Sequence, residues 1–466
     1  MTADLAAPHN AAVAGIRTNR LQAFIADENA RFVAARPRAQ AAYENDSAAW
    51  LNRVPMHWMR DWPSPFPIVV DAAQDATLVD VDGHRLDDFC LGDTGSMFGH
   101  APAAVTRAIQ DQAARGLTYM LPSEAALQAG ALMSDTFGPF RWQVTLSATD
   151  ANRNALRVAR AVTGRRKVLV FNGCYHGTLE DTMVELRSGL TIARQGLVGQ
   201  GFDLTTGAVC VEFNDLDEVA AALNAGDVAA ILTEPVMTNS CMVLPQDGFL
   251  EGLRELADTH GALLIIDETH TQSSGYGGYT RQHGLRPDIF VIGKCVAGGM
   301  PMALWGMTDP IAARFAAYDA DRPAGHSGMG TTLAGNPMQF ACLEATLREV
   351  ATPQAFAKMN AGAERLATGL SKTIDAVGVP WHVVRVGARV EFICAPGPLR
   401  NGTEAAAAHH ATLEGALHLG LLNRGCLIAP FHNMMLVSPV TADAQIDRLI
   451  AAFADVLSAL TGDTHV

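Results

Sequence analysis

Lys294 and Asp267 are the two residues of this chain whose types and positions point most directly to chemistry. Lys294 follows a short apolar segment at 288–292 and precedes a glycine-rich turn at 298–299, and Asp267 ends a second apolar segment at 263–266. A lysine amine can form an imine with an aldehyde. An aspartate can keep a pyridine nitrogen protonated, so that the ring draws electrons from the imine. This is the chemistry of pyridoxal 5'-phosphate (PLP), so the pair predicts a PLP site with Lys294 and Asp267 as catalytic residues.

Ser147, Ala148 and Thr149 are candidates for binding a phosphate group. They follow an apparent strand at 142–146 and open an apparent helix at 151–163. Unpaired backbone N–H groups at a helix start, together with the helix dipole, attract anions. The hydroxyl groups of Ser147 and Thr149 could add donors, although ordinary capping of the helix explains the same residues.

Three further positions follow predicted strands or glycine-rich turns. Tyr175 comes just after the strand at 168–171, where its ring could stack on a flat heteroaromatic ring, and a surface tyrosine is the alternative. Glu234 follows the strand at 229–233 and is either a site carboxylate or a solvated loop acid. Thr332, in a glycine-rich loop, either donates to a phosphate or belongs to a turn before a helix.

Arg60, Arg389 and Trp58 are the candidates for contact with a substrate. A guanidinium group binds a carboxylate through two parallel hydrogen bonds, so either arginine could bind a substrate carboxylate. A structural or surface arginine is the alternative in each case. Trp58 could line an apolar pocket, although core packing explains it equally well.

The middle of the chain alternates between helical patterns and short apolar strands, which favours a mostly parallel sheet covered by helices. The strands are apolar on consecutive positions, as expected when both faces are buried. In such sheets ligands bind beyond the carboxyl ends of the strands, where Asp267 and Lys294 both fall. The predicted helices are 102–115, 151–163, 215–224 and 247–259, and the predicted strands are 168–171, 229–233, 263–266, 288–292 and 302–307.

The flanking segments predict a second, smaller α+β unit. Helical patterns up to about residue 45 precede an irregular tryptophan- and proline-rich stretch at 46–70 and a hairpin that turns at Asp82–Gly83. An amphipathic helix from residue 442 follows further elements near the end of the sequence. We therefore predict an N-terminal segment at 1–100, a large cofactor domain at 101–338 and a C-terminal small domain at 339–466.

The bulk composition is that of a folded globular protein and gives no sign of nucleic-acid binding. The chain has 466 residues, 49% of them hydrophobic and 18% charged, with a net charge of −14. No apolar run is long enough to span a bilayer and no signal peptide is evident, so we expect a cytoplasmic protein. The eight cysteines form no Cys-x-x-Cys pair and no zinc pattern stands out, so we expect free thiols and no metal. The sequence also lacks the Gly-x-Gly-x-x-Gly pattern of nicotinamide dehydrogenases.

Taken together, these motifs resemble class III aminotransferases of PLP fold type I, and within them the branch that contains glutamate-1-semialdehyde aminomutase. The resemblance runs from about Phe66 to the C-terminal helix. The matching segments begin at Phe66, Asp80, Gly99, Ser147, Tyr175, Thr233, Ile266, Gly293 and Thr332.

The resemblance implies a role for several of these residues. Lys294 would bind the cofactor covalently and move a proton between the substrate carbon and the cofactor carbon, and Asp267 would pair with the pyridinium nitrogen. Tyr175 would stack on one face of the ring and Thr269 would take the place of a valine on the other. Ala148 and Thr149 would bind the phosphate through their N–H groups, with Thr332 reaching in from a partner subunit.

The implied fold is α/β, with a large domain built on a mostly parallel sheet flanked by helices and a smaller α+β domain from the N- and C-terminal segments. The implied protein is a homodimer with shared active sites. The implied function is an aminotransferase that moves an amino group between an amine and a keto acid, ketone or aldehyde by a ping-pong mechanism. An aminomutase of the glutamate-1-semialdehyde type, a racemase or epimerase, and a catalytically silent cofactor-binding protein are the alternatives.

Three segments depart from the family pattern. The usual Ser-Gly-Thr-Glu-Ala is Ser-Ala-Thr-Asp-Ala at 147–151, and the alanine preserves N–H donation only if its φ is negative. The aminomutase segment Val-Met-Thr-Gly-Phe-Arg is replaced at 269–274 by Thr-His-Thr-Gln-Ser-Ser. A glycine-rich stretch with a substrate-binding arginine is replaced by the tryptophan-containing segment 54–62. These departures favour the aminotransferase over the aminomutase.

Overall fold

The computed structural model describes residues 12–430 and 432–462. Its strands are β1 (Ala12–Val13), β2 (Ile16–Arg17), β3 (Val70–Gln74), β4 (Thr77–Asp80), β5 (Arg85–Asp88), β6 (Arg141–Thr145), β7 (Lys167–Phe171), β8 (Val184–Arg187), β9 (Leu190–Ala193), β10 (Ala208–Val211), β11 (Val228–Thr233), β12 (Leu263–Asp267), β13 (Ile289–Ile292), β14 (Ala303–Met307), β15 (His382–Val386), β16 (Arg389–Ile393), β17 (Cys426–Leu427) and β18 (Met434–Leu436).

The described residues also form fourteen α-helices. They are α1 (Thr18–Ala35), α2 (Pro37–Asn45), α3 (Ala103–Ala113), α4 (Glu124–Phe137), α5 (Ala148–Thr163), α6 (Leu216–Leu223), α7 (Phe249–His260), α8 (Gly278–His283), α9 (Asp309–Asp321), α10 (Pro337–Ala345), α11 (Pro353–Val377), α12 (Gly402–Ala408), α13 (Ala411–Asn423) and α14 (Asp443–Thr461).

A seven-stranded sheet in the order β10-β7-β11-β12-β13-β14-β6 forms the centre of the protein. The strands from β10 to β13 are parallel, and β14 runs antiparallel to both of its neighbours. This arrangement confirms the predicted α/β fold with a mostly parallel sheet. The predicted strand at 302–307 is the antiparallel member.

Both faces of the central sheet are buried, which explains the uninterrupted apolar runs of its strands. Along β7, Val168 and Val170 pack in one core with helix α5, and Leu169 and Phe171 pack in a second core with helices α6 and α7. Successive side chains of a strand point to opposite faces, so a strand between two helical layers must be apolar at every position.

The smaller sheets combine segments from the two ends of the chain. Strand β17 pairs with β5 in a four-stranded sheet whose other members are β4 and β3, and β15, β16 and β18 form a three-stranded sheet. Helices α1, α11, α13 and α14 enclose a shared apolar core beside them. This arrangement confirms the smaller α+β part, while the proposed boundaries at residues 100 and 338 remain predictions.

The hairpin and the irregular stretch that the sequence predicts in the first hundred residues both match the structure. The hairpin at 82–83 joins the antiparallel strands β4 and β5. The tryptophan-rich stretch contains short 3-10 turns at Leu51–Arg53 and His57–Arg60 and ends at Val70, the first residue of β3. The first eleven residues of the predicted N-terminal helical segment, including the start considered for a signal peptide, lie outside the described residues. Within the described part, no helix is long and apolar enough to cross a membrane.

Candidate active site

Asp267 and Lys294 lie at the carboxyl ends of neighbouring parallel strands, as the sequence predicts. Asp267 is the last residue of β12 and pairs in register with Val291 of β13, and Lys294 follows that strand after Gly293. Lys294 has a φ of 50°, a left-handed conformation that costs a residue with a β-carbon about 1–3 kcal/mol. Strained backbone of this kind concentrates at functional sites.

Asp267 is buried and fully hydrogen-bonded. Its Oδ2 atom accepts from Asn152 Nδ2 at 2.8 Å and lies 2.9 Å from His176 Nδ1, and its Oδ1 atom accepts from the Thr269 hydroxyl at 2.6 Å. Burial alone would raise the pKa of Asp267, but these hydrogen bonds and the His176 charge lower it below the ordinary value. The carboxylate is therefore ionised, as an acid must be to keep a pyridine nitrogen protonated.

The amine of Lys294 is held by Asp93 and His270. Its Nζ atom lies 2.6 Å from Asp93 Oδ2, 2.9 Å from the Asp93 carbonyl oxygen and 2.9 Å from His270 Nε2. Asp93 has a φ of 48° and the neighbouring Thr94 a φ of 80°. Burial would raise the pKa of Asp93, but Lys294 and then His270 lower it well below the ordinary value.

The predicted phosphate site is the start of helix α5. Ser147 caps the helix by accepting from Asp150 N, and Ala148 and Thr149 are its first two residues, whose N–H groups have no partner within the helix. Ala148 is helical and does not have a positive φ. Alanine in place of the family's usual glycine therefore leaves the backbone N–H donor at this position intact. Gly177, with a φ of 83°, lets the next loop approach closely, since a β-carbon there would collide with Thr149.

Tyr175 and Glu234 are also at this edge of the sheet. Tyr175 is 39% exposed, and burial together with the nearby Asp93 charge raises the pKa of its phenol. Glu234 follows β11 and is buried, where one oxygen accepts from the Thr238 hydroxyl and the other has no hydrogen-bond partner in the described part of the chain. Burial raises the pKa of Glu234 to about 7, against the opposing charge of His176.

Trp58, Arg60 and Thr332 make no hydrogen bond or ion pair with Lys294 or Asp267 within the described residues. Arg60 is paired with Asp61 at 3.2 Å on the surface, and Trp58 is 42% exposed on the wall of a cavity of about 640 Å³. Thr332 lines a different cavity, of about 670 Å³. The substrate roles of Trp58 and Arg60, and the contact of Thr332 with a second subunit, remain predictions.

Arg389, the second candidate for a substrate carboxylate, is only 1% exposed in strand β16. One of its terminal nitrogens donates to Thr94 Oγ1 at 2.6 Å and to His270 Nδ1 at 2.8 Å. Its other two nitrogens are buried without a partner among the described residues. Arg389 therefore lies beside the lysine site, although a role in binding substrate remains a prediction.

Sequence patterns did not single out Asp93, Thr94, His176 or His270. His176 was visible as part of the Tyr-His-Gly motif and His270 as the third residue after Asp267, but neither position indicated its hydrogen-bond partner. Asp93 and Thr94 lie between two glycines, Gly92 and Gly95, in a sharply turning loop, and that spacing was the available signal.

These features together fit PLP. A buried, ionised carboxylate at one strand end, an amine at the next and a row of free N–H groups at a helix start suit the ring nitrogen, the aldehyde and the phosphate of that cofactor. Among the described residues, no group of three or more histidine, cysteine or acidic side chains could hold a metal ion.

Known proteins resemble this chain over most of its length. The family model for class-III aminotransferases matches residues 59–457. A curated glutamate-1-semialdehyde 2,1-aminomutase from Roseiflexus castenholzii is 36% identical over 402 residues, covering 84% of this chain and 91% of that protein.

Solved structures extend the comparison to the whole fold. A glutamate-1-semialdehyde-aminomutase from Pseudomonas aeruginosa is 46% identical with a TM-score of 0.93, covering 96% of this chain and 100% of that chain. A variant of it in complex with PMP superposes with a TM-score of 0.94. A β-phenylalanine aminotransferase from Variovorax paradoxus is 28% identical with a TM-score of 0.83, covering 93% and 97% of the two chains.

Proposed function

The chain belongs to the class-III aminotransferase family of PLP-dependent enzymes, and we propose that it moves an amino group between adjacent carbons of one substrate, as a glutamate-1-semialdehyde-type aminomutase does. This is the alternative rather than the aminotransferase that the sequence motifs favoured. The observation that carries it is the similarity to the Pseudomonas aeruginosa aminomutase, 46% identical over 96% of this chain.

The residues at the strand ends have distinct roles in this proposal. Bound PLP supplies an electron-withdrawing ring that weakens the bonds of the carbon bearing the amino group. Asp267 keeps the ring nitrogen protonated through its own negative charge. Lys294 would be the general base that moves a proton between the substrate carbon and the reacting carbon of the cofactor.

The remaining site residues bind and orient. The N–H groups of Ala148 and Thr149, with the Ser147 hydroxyl, would hold the phosphate at the positive end of helix α5. Tyr175 would pack against one face of the ring. The hydroxyl of Thr269 orients the Asp267 carboxylate by donating a 2.6 Å hydrogen bond to it. Glu234 lies at the same carboxyl edge of the sheet.

The test supplies the purified enzyme with glutamate 1-semialdehyde alone and follows the product by mass spectrometry and NMR. Transfer of the amino group from carbon 2 to carbon 1, in the numbering of glutamate, gives 5-amino-4-oxopentanoate. This product has the same mass as the substrate but a ketone in place of the aldehyde. We expect this isomer to form without an added amine or keto acid. Lys294→Ala should abolish its formation, and no isomer with the wild type would overturn the proposal.

An aminotransferase is the second candidate, favoured by the 28% identity to the β-phenylalanine aminotransferase and by the Thr-His-Thr-Gln-Ser-Ser segment at 269–274. An aminotransferase consumes an amino donor and releases a carbonyl product in its first half-reaction, without isomerising the semialdehyde. The matching experiment gives the enzyme β-phenylalanine and 2-oxoglutarate, separately and together. Product that requires both compounds would favour this candidate.

We also propose that two copies of the chain share their active sites in a cytoplasmic homodimer. The support is an exposed apolar surface around the loop that carries Thr332. Leu117 is 52% exposed, Met120 77%, Leu121 71% and Leu333 53%. Apolar residues clustered in this way mark a protein interface more often than a free surface.

A further inference from the structure

Four consecutive residues of the loop at 91–94 have a left-handed backbone. Their φ angles are 46° at Leu91, 59° at Gly92, 48° at Asp93 and 80° at Thr94. Glycine adopts such angles readily, but the other three residues adopt them only where the surrounding structure holds them. Asp88 helps to hold the loop, because its Oδ1 atom accepts from two successive backbone N–H groups where the loop begins, at 2.8 Å and 2.9 Å. Backbone that is held in this way is typical of a binding site.

This backbone turns two oxygen atoms of Asp93 towards one nitrogen. The Nζ atom of Lys294 lies 2.6 Å from Asp93 Oδ2 and 2.9 Å from the Asp93 carbonyl oxygen, and the two side chains form an ion pair. His270 Nε2 is the third neighbour of Nζ, at 2.9 Å. Both Asp93 oxygens accept hydrogen bonds, so the group that they bind best has at least two N–H bonds and a positive charge. A primary ammonium group has both.

The Asp93 carboxylate has no other hydrogen-bond partner among the described side chains. Its Oδ1 atom is unpaired, and its Oδ2 atom is bound by Lys294. Partial burial would raise the pKa of Asp93, but Lys294 lowers it more than any other neighbouring charge does. A lysine nitrogen that is joined to a carbonyl carbon keeps at most one N–H bond, so it cannot serve both oxygens of Asp93. A partly buried carboxylate that loses its partner is costly, which favours a second donor in the same place.

An ammonium group from solution can reach this place without adding net charge to it. The side chain of Asp93 is 38% exposed and that of Lys294 is 27% exposed. Arg389 is the other cation that faces Asp93, and it donates to Thr94 rather than to the carboxylate. His270 and His432 also face Asp93, but burial lowers the pKa of both. One ammonium group therefore replaces the charge that Lys294 provides in the structure.

We propose that Asp93 forms a binding site for a primary ammonium group, which Lys294 fills in the structure and the amino group of an amine substrate fills once Lys294 is joined to the cofactor. Only the second half of this inference rests on the proposed function, because it takes Lys294 as the cofactor lysine. The ligands are primary amines in their charged form, and a quaternary ammonium ion is excluded because it has no N–H bond. Binding at this site makes and breaks no covalent bond.

The first experiment uses apoenzyme in which Lys294→Ala removes the lysine amine. Propylammonium replaces the side-chain atoms beyond Cβ that this substitution removes, and 1-propanol is a ligand of the same length without the charge. Melting temperatures at increasing concentrations of each, at constant ionic strength, give the dissociation constants. We expect propylammonium to raise the melting temperature of Lys294→Ala. It should not raise that of wild-type apoenzyme, whose own lysine occupies the site, and 1-propanol should raise neither.

Two further variants in the Lys294→Ala background identify the residue that binds. Asp93→Asn should bind propylammonium ~10–100-fold more weakly, because a hydrogen bond to a charged group is lost. Asparagine tolerates a left-handed φ, so the loop keeps its shape. Asp75→Asn is the matched control, since Asp75 is exposed and has a φ of 54°, and it should bind as tightly as Lys294→Ala alone. Equal affinities for the two variants, or an equal response to 1-propanol, would overturn the proposal.

A second measurement keeps Lys294 and does not depend on the folding of the alanine variant. Wild-type and Asp93→Asn holoenzyme are mixed with 5-amino-4-oxopentanoate or β-phenylalanine, and the absorbance of the cofactor is followed by stopped flow. We expect ~10–100-fold weaker binding of the amine to Asp93→Asn, with a smaller effect on the rate at saturation. A slower rate with unchanged binding would make Asp93 a positioning residue for Lys294 and overturn the substrate site. Wild-type enzyme that responds to neither amine would instead refute the proposed function, and the melting experiment would decide the ammonium site by itself.

Discussion

The Nδ1 atom of His176 lies 2.9 Å from the Oδ2 atom of Asp267, and both side chains are buried at the carboxyl edge of the central sheet. Burial alone would lower the pKa of His176, but Cys174 and the hydrogen-bonded Asp267 raise it to about 10. The protonated histidine in turn helps to keep Asp267 ionised. The negative charge at the end of β12 is therefore built into the protein rather than induced by a ligand.

Replacing the histidine should make stability less dependent on pH. The pKa of His176 is raised from 6.5, so its contribution is fully present below pH 6.5 and is lost as the pH rises toward 10. His176→Asn should therefore unfold at a lower temperature than the wild type near pH 6, with a cost of roughly 3–5 kcal/mol for breaking a buried pair. The difference should shrink toward pH 10 in thermal melts of the apoprotein. A constant difference, or the same trend in exposed His326→Asn, would contradict this account.

The charge of Asp267 should matter more for chemistry than its hydrogen bonds. Asp267→Asn keeps a side chain of the same shape but removes the negative charge facing the ring nitrogen. We expect the first half-reaction to slow by roughly 10²–10³-fold, the usual effect of losing one preorganised electrostatic group. Stopped-flow absorbance of the bound cofactor measures that step. The control is Asp217→Asn, on the exposed side of helix α6, and equal rates for Asp267→Asn and the wild type would refute the role.

Glu234 should destabilise the protein as the pH rises. Burial raises the pKa of this carboxyl from 4.5 to about 7, so the folded state holds the proton more tightly than the unfolded state. The stability linked to that proton is present below pH 4.5 and is lost as the pH rises through 7. The melting temperature of Glu234→Gln minus that of the wild type should therefore increase between pH 5 and pH 8. The exposed Glu255→Gln is the control, and a difference that does not change with pH would contradict the prediction.

The strand ends were predictable because their signal is local. An apolar run that ends in a lysine, or in two carboxylates, marks a buried strand and the residue that leaves it, so the sequence alone placed Lys294 and Asp267 at one edge of the sheet. Ala148 and Thr149 were predictable for the same reason, since a strand followed by a helix leaves free N–H groups at the turn. Strands β8–β10 were not predicted because they are short and no regular alternation separates them from the surrounding loops.

The environment of Lys294 could not be predicted in this way because it is assembled from distant segments. Asp93 is 201 residues before Lys294, and Arg389 is 119 residues after His270. No local pattern in the sequence predicts that the turn at Asp93 reaches the carboxyl end of β13. Arg389 was singled out only as a possible carboxylate ligand. Its contact with His270 depends on how β16 docks against the backbone at 273–274.

That docking depends on Gly387. It precedes β16 with a φ of 58°, and a β-carbon would collide with the backbone of Ser273 and Ser274, where Ala388 N donates to Ser273 O at 2.9 Å. Gly387→Ala should lower the free energy of unfolding by about 1–3 kcal/mol and displace Arg389 from His270. Gly284→Ala is the matched control, because its φ of 62° carries the same backbone strain with no atom in the way. Equal melting temperatures for the two variants would show that the close approach is unimportant.

The exposed apolar surface should hold two subunits together. Met120 and Leu121 are 77% and 71% exposed and line the same cavity as Thr332, so a charge placed there would be desolvated on association. Leu121→Glu should shift the protein from dimer to monomer in light scattering at low micromolar concentration. It should also weaken PLP retention, because Thr332 of the partner subunit would no longer reach the phosphate. Leu244→Glu, at an apolar residue 41% exposed elsewhere, should remain dimeric. A wild-type protein that is monomeric at all concentrations would refute the shared site.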